Sequence, residues 1–218
     1  MQETHAVSAT RTAEQTDTTT AVLPKRLVVI GASVGGPLAL AQILPKIPEY
    51  FPGTLIVAQQ MRRGFTRLLA EMLASSSDLI VREAENHNPL YPGLALVAPG
   101  GAACAINYNS SRSQYPLTIG VDNSPEMADK SLGIIDILMK SAAESFGDKV
   151  IGVMLTGIGN DGREGMRAIK EHKGYTIAQD ESTCTLGDTP RMIADLGLAN
   201  DILPLWAIPN RILELVGK

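Results

Sequence analysis

Three short runs constrain this chain more than anything else in it: Leu27-Val28-Val29-Ile30, Thr54-Leu55-Ile56-Val57-Ala58 and Val150-Ile151-Gly152-Val153-Met154-Leu155. A strand with one wet face alternates apolar and polar residues, whereas a strand covered on both faces does not. These runs do not alternate, so they predict buried parallel strands with helices on either side. Helical periods lie between and around them. Leu38, Leu40, Ile43 and Leu44 form one face, stopped by Pro45 and Pro48, and residues 65–74 form a second amphipathic helix. Residues 131–146 carry Leu132, Ile135, Leu138, Met139 and Ala142 at helical spacing. Residues 163–172 and 209–216 give two further helices, with a strand at Tyr175-Thr176-Ile177-Ala178 between them. Repeated strand, loop and helix units predict a doubly wound, mostly parallel, Rossmann-like α/β fold. The middle of the chain reads differently. Leu79-Ile80-Val81 and Leu94-Ala95-Leu96-Val97 are short strands between turn residues, and this middle region, continuing through Cys104 to Val121, is expected to be a β-hairpin insertion.

A chain of 218 residues, 44% hydrophobic, suffices for one core. Residues 1–24 offer few large apolar side chains and are expected to be a flexible polar tail, with the folded domain spanning 25–218. The formal charge of -4 gives nucleic acid no basic surface to attract, so no nucleic-acid partner is expected. Cys104 and Cys184 are the only cysteines, without a CxxC pair or a His/Cys cluster, so neither a disulfide framework, a metal site nor a cofactor is expected. The first residues resemble neither a secretory nor a transit peptide, and no apolar run approaches the roughly 20 residues of a membrane span. A cytoplasmic protein without membrane insertion is the expectation.

In such folds ligands bind beyond the carboxyl ends of the strands, which directs attention to the loops after Ile30, Ala58 and Leu155. The first, Gly31-Ala32-Ser33-Val34-Gly35-Gly36, fits G-x-S-x-G between a strand and a helix. Its glycines permit a cramped turn that lifts the Ser33 hydroxyl, and the amides of Val34 and Gly35 are candidate oxyanion donors. Ser33 is equally compatible with a helix N-cap, or the loop with a phosphate cradle short of the full G-x-G-x-x-G spacing. The second loop, Gln59-Gln60-Met61-Arg62-Arg63-Gly64-Phe65-Thr66, opens with two glutamines that as polar strand caps would be unremarked. The third, Thr156-Gly157-Ile158-Gly159-Asn160-Asp161-Gly162, delivers one acid, which could orient a base, bind a cation or cap a helix.

Taken in order, these loops resemble the catalytic domain of the chemotaxis protein-glutamate methylesterase (CheB) family, from Leu27 to about Leu213. The resemblance rests on Ile30-Gly31-Ala32-Ser33 with the following Gly-Gly pair, Met61 with Gly64-Phe65-Thr66, and Val81-Arg82-Glu83-Ala84. Ala98-Pro99-Gly100-Gly101, Leu155-Thr156-Gly157 with Gly159 and Asp161-Gly162, and Thr176-Ile177-Ala178-Gln179-Asp180-Glu181 extend it. Members hydrolyse γ-glutamyl methyl esters on receptor helices, and many deamidate receptor glutamines. The resemblance implies Ser33 as nucleophile and Asp161 as orienting acid, with Met61, Arg62, Thr156 and Ile158 as substrate contacts and no cofactor. The family's general base is the histidine of a Gln-His-Met triplet, and this chain has Gln59-Gln60-Met61 there. A carboxamide can accept a hydrogen bond but cannot hold a proton near neutral pH. Of the remaining imidazoles, His5 falls in the expected tail and His172 near a helix end, leaving His87 as the least improbable substitute base.

Residues 122–131 lack the family's basic run, and Cys184-Thr185-Leu186-Gly187-Asp188-Thr189-Pro190 replaces a more apolar stretch. Two expectations follow: an esterase that works slowly or with a replacement base through an acyl-enzyme on Ser33, or a catalytically inactive pseudoenzyme that binds receptor helices or another signalling protein. Arg62 and Arg63 would face an acidic helix in either case, although a solvated basic loop is the default reading. The family usually carries a phospho-accepting receiver domain ahead of the esterase domain; with a short stretch ahead of Lys25, phosphorylation in cis is not expected, and a separate receiver-domain protein is a candidate partner. The order Ser33, Asp161, His172 nominally suits an α/β-hydrolase, but Ser33 follows the first strand, too early for that architecture. A nucleotide-binding module would need a lysine after the glycines, which is absent.

Overall fold

The computed structural model describes residues 21–111, 114–124 and 133–217. The chain runs β1 (Leu27–Ala32), α1 (Gly36–Ile43), β2 (Thr54–Gln59), α2 (Phe65–Ala74), β3 (Ile80–Glu83), β4 (Asn88–Pro89) and β5 (Leu94–Val97). It continues with β6 (Ala103–Tyr108), β7 (Leu117–Asp122), α3 (Ile134–Phe146), β8 (Val150–Met154), α4 (Arg163–Glu171), β9 (Tyr175–Gln179), α5 (Asp188–Asp195), β10 (Asp201–Leu203) and α6 (Ile208–Gly217). Seven strands form one parallel sheet in the order β10-β9-β8-β1-β2-β5-β3. A second, antiparallel sheet has the order β4-β7-β6. This is the doubly wound α/β architecture expected, hairpin included.

Residues of β1 alternate between two cores, as successive side chains of a strand must. Val28 and Ile30 join Leu40, Ile43, Leu69, Leu73, Ile208 and Ile212, so α1, α2 and α6 cover one face. Leu27 and Val29 join Ile135, Leu138, Met139, Met166, Ile169 and Ile193 on the other, where α3, α4 and α5 pack beside Ile106 and Ile119 of the small sheet. Both faces of β1, β2 and β8 are therefore buried, which explains why their sequences do not alternate.

Three differences from the expected pattern have physical causes. Leu38 is 70% exposed, because the short α1 turns Ala39, Leu40 and Ile43 inward instead. The strands β3 and β5 extend the parallel sheet, so the hairpin insertion is confined to β6 and β7 with the two-residue β4. The helix α5 and the edge strand β10 were not anticipated. Leu132, His5 and the first 20 residues of the expected tail lie outside the described residues.

The topology also fixes where a ligand can sit. From β1 the chain steps to β2, then to the edge strand β3 and back to β5 between them, and it later returns to β8 on the opposite side of β1. The crevice at the carboxyl ends of β1 and β8 is thus the switch point of the sheet.

Candidate functional site

Ser33, Gln60 and Asp161 lie just past the ends of three adjacent strands, β1, β2 and β8. Ser33 is placed by its backbone. Its N–H donates to Thr156 O at 3.1 Å, and its carbonyl accepts from Gly36 N–H at 3.0 Å and from Gln59 Nε2 at 2.8 Å. Gly157 lets the two loops approach so closely that a Cβ there would lie 2.8 Å from Ser33 Cβ. Gly35, with φ of 83°, turns the chain into α1 through a left-handed conformation that favours glycine. Among the described residues the N–H groups of Val34 and Gly35 meet no protein acceptor, and they stand at the positive end of α1.

Gln60 continues the β1–β2 ladder by one rung, its N–H donating to Ala32 O at 2.9 Å. Its side chain Nε2 donates to Asp161 Oδ2 at 2.9 Å. Asp161 is only 8% exposed, and the N-terminus of α3 holds its carboxylate: Ile135 N–H donates to Oδ2 at 3.1 Å and Asp136 N–H to Oδ1 at 2.9 Å. The acid does cap a helix, but it caps α3 rather than α4, whose N-cap is Gly162. Three donors already bond the two carboxylate oxygens, which makes Asp161 a structural acceptor at the head of α3. No His/Cys/Asp/Glu cluster with metal-binding geometry occurs among the described residues. The structure therefore joins Gln60 to Asp161, while the Ser33 hydroxyl makes no hydrogen bond to either.

The expected substrate contacts divide. Ile158 is 47% exposed, and Val34 and Leu186, whose main chains meet at the Thr156 hydroxyl, are exposed as well. Arg62 is exposed and Met61 half-buried against the core. Their loop is set by Gly100, where a Cβ would lie 2.5 Å from Met61 O and 2.7 Å from Arg62 O. Thr156 differs from the expectation of a substrate contact. It is 1% exposed, and its hydroxyl sits 2.9 Å from Val34 O and 3.0 Å from Leu186 O while accepting from Leu186 N–H at 3.0 Å. That hydroxyl is committed to clasping the 184–187 segment onto the Ser33 turn.

Sequence reasoning passed over two buried glutamines. Gln59 bridges Ser33 and Gln60, and Gln179 Oε1 accepts from Thr156 N–H at 2.9 Å while its Nε2 donates to Thr183 O at 2.8 Å. The available signal was that each ends an otherwise apolar strand. Neither described histidine joins the site. His172 lies at the end of α4 opposite Asp161, its Nδ1 bonded to Ala168 O at 2.9 Å. His87 lines a separate cavity of about 460 Å³ with Cys104, Val121 and Ile137. Burial pushes the Cys104 thiol up to about 12 and the Cys184 thiol up to about 11, so both stay protonated at neutral pH.

Comparison with known proteins matches residues 28–212 to the family model described as CheB methylesterase. A protein-glutamate methylesterase/protein-glutamine glutaminase of Carboxydothermus hydrogenoformans is 45% identical over 188 residues, covering 86% of this chain and 54% of the relative. One from Desulfitobacterium hafniense is 42% identical over 195 residues, covering 89% of this chain and 49% of the relative. The crystal structure of the Thermotoga maritima CheB methylesterase catalytic domain superposes with a TM-score of 0.79 at 35% identity, covering 87% of this chain and 98% of that one. The chain spans about half the length of the curated relatives it matches.

Proposed function

The chain belongs to the CheB methylesterase family, and from that premise we propose that the Ser33 site binds γ-glutamyl ester or amide side chains of chemoreceptor helices and turns them over very slowly. The observation that carries this reading is the 2.9 Å bond from Gln60 Nε2 to Asp161 Oδ2. It turns the amide nitrogen toward the acid and leaves Oε1 as the side-chain acceptor Gln60 can offer the Ser33 hydroxyl.

An ester hydrolysis at this site begins with attack of Ser33 Oγ on the ester carbonyl. The hydroxyl proton must leave as the bond forms, and methoxide must take up a proton as it departs as methanol. An imidazole performs both transfers. The Gln60 carbonyl can accept the hydroxyl hydrogen bond but has no lone pair basic enough to keep the proton. The Val34 and Gly35 amides remain suited to a developing oxyanion, and the exposed apolar side chains of Val34, Ile158 and Leu186 to a helix surface. In a worked serine-protease case, loss of the base costs about 10⁶ in turnover and leaves roughly 10³ to 10⁴ over water. Binding then outlives turnover, which makes the domain a receptor-binding or partner-binding module in cytoplasmic signalling. Arg62 and Arg63 suit an acidic receptor helix, and access to the crevice is the step that a receiver-domain protein would control.

The test is methanol release from methylated receptor by the wild type, by Gln60→His and by Ser33→Ala. The wild-type rate is expected to be very low, to rise at least about a hundredfold in Gln60→His, and to vanish in Ser33→Ala. A robust wild-type rate lost in Ser33→Ala defeats the proposal.

A further inference from the structure

Gln59 carries a feature that simple packing does not explain. It is 2% exposed, and its Nε2 donates to two main-chain carbonyls, Ser33 O at 2.8 Å and Gln60 O at 3.1 Å. Because both partners can only accept, the amide orientation is determined. Its Oε1 is the one buried side-chain polar atom without a partner among the described residues. It lies against Gly36, where any Cβ would overlap it. An apolar side chain of similar volume would fill this space without desolvating an unpaired acceptor. The amide is explained by what its two donors hold.

Those donors sit where the β1–β2 ladder stops. Ala32 pairs with Gln59 as the last register step, and Gln60 N–H to Ala32 O is the final backbone rung. Beyond it, among the described residues, no backbone hydrogen bond links the Ser33 turn to the Gln60 turn. Ser33 O is already satisfied by Gly36 N–H, so its bond from Gln59 adds position rather than satisfaction.

We propose that Gln59 is a positioning residue whose carboxamide forms the next rung between β1 and β2 and so sets the distance from Ser33 to the side chain at position 60. This rests on the reading of Ser33 as the reacting group. A reacting pair displaced by about 1 Å can lose about 10²-fold in rate. Gln59 therefore acts on the chemical step through others and touches no substrate itself.

The experiment has two arms. In a Gln60→His background, Gln59→Met keeps the volume and removes both donors, while Gln59→Asn keeps the amide and shortens its reach. With circular dichroism confirming folding, each is expected to lower kcat about 10- to 100-fold, with KM within about twofold of the parent. An unchanged kcat, or a loss confined to KM, overturns the proposal. The second arm uses the wild-type chain and measures scalar couplings across hydrogen bonds by NMR, from Gln59 Nε2 to the carbonyl carbons of Ser33 and Gln60. Couplings to both support the placement and their absence overturns it, whether or not the variants fold. An inactive Gln60→His parent with both couplings present defeats the functional reading of the site and leaves the placement of Gln59 standing.

Discussion

The two halves of the site are held by different means. Ser33 is fixed through its main chain: Thr156 O, Gly36 N–H and the Gln59 amide all bond its backbone, and Gly157 packs against it. Position 60 and Asp161 are joined through side chains, and the carboxylate in turn rests on the first amides of α3. A main-chain cradle is indifferent to which side chain it presents. A side-chain relay is specific to the groups in it, since a single substitution changes what can be donated, accepted or protonated. The turn that carries Ser33 on β1 therefore does not depend on which side chain stands at position 60 on β2, whereas the bond to Asp161 does.

Breaking the relay is expected to cost the most. Asp161→Ala removes the acceptor for Ile135 N–H, Asp136 N–H and Gln60 Nε2 together, which should destabilise the fold by about 2–3 kcal/mol in urea unfolding at pH 7. A loss below about 0.5 kcal/mol would mean that water replaces the carboxylate and that the relay has no structural share. Disturbing the cradle should cost somewhat less. Gly157→Ala places a methyl group 2.8 Å from Ser33 Cβ and 3.2 Å from Ser33 N. The two loops must part, at about 1–2 kcal/mol in the same assay. Methanol release measured in a Gln60→His background should fall with it, because the turn that moves is the one carrying Ser33.

The difference between cradle and relay also explains what the sequence made legible. Strands buried on both faces announce themselves, because a run such as Val150-Ile151-Gly152-Val153-Met154 has no reason to alternate. The loops that follow them were located from the carboxyl ends of those strands, and the structure brings Ser33, Gln60 and Asp161 to neighbouring strand ends. Side-chain partnerships that reach across the chain left weaker traces. Asp161 reads locally as a cap for the helix after it, yet it caps α3, 26 residues away. Thr156 reads as a loop hydroxyl open to ligand, yet Val34 and Leu186 consume it. Gln59 reads as a polar strand end, and only the neighbouring strand reveals what its amide bonds. The helix α5 was missed although Asp188-Thr189-Pro190 is a proper helix start, because Ile193 is its one large buried aliphatic side chain. The strand β10 was missed because three residues carry no readable period.

The smallest expected effect concerns Asp136, which mirrors Asp161 across the α3–α4 contact. Asp161 caps α3, and Asp136, in the first turn of α3, accepts from Gly165 N–H of α4 at 2.6 Å. The mirror is imperfect. Burial raises the Asp136 carboxyl above its ordinary value of 3.8 and the charge of Asp161 adds to this, against the opposing pull of the Gly165 amide and Lys140. A carboxyl raised in the folded state binds its proton there after the unfolded chain has released it. Its contribution to stability is therefore present at low pH and is lost as pH climbs from the ordinary value through the raised one. Asp136→Asn keeps an oxygen to accept from Gly165 and carries no charge. Its melting temperature should match the wild type at pH 3.5 and exceed it at pH 7 by at most about 2–4 °C, read as the difference between two otherwise identical titrations. A variant less stable than the wild type at pH 7 would show that the ionised Asp136 supports α4 as Asp161 supports α3, and that the two caps are equivalent.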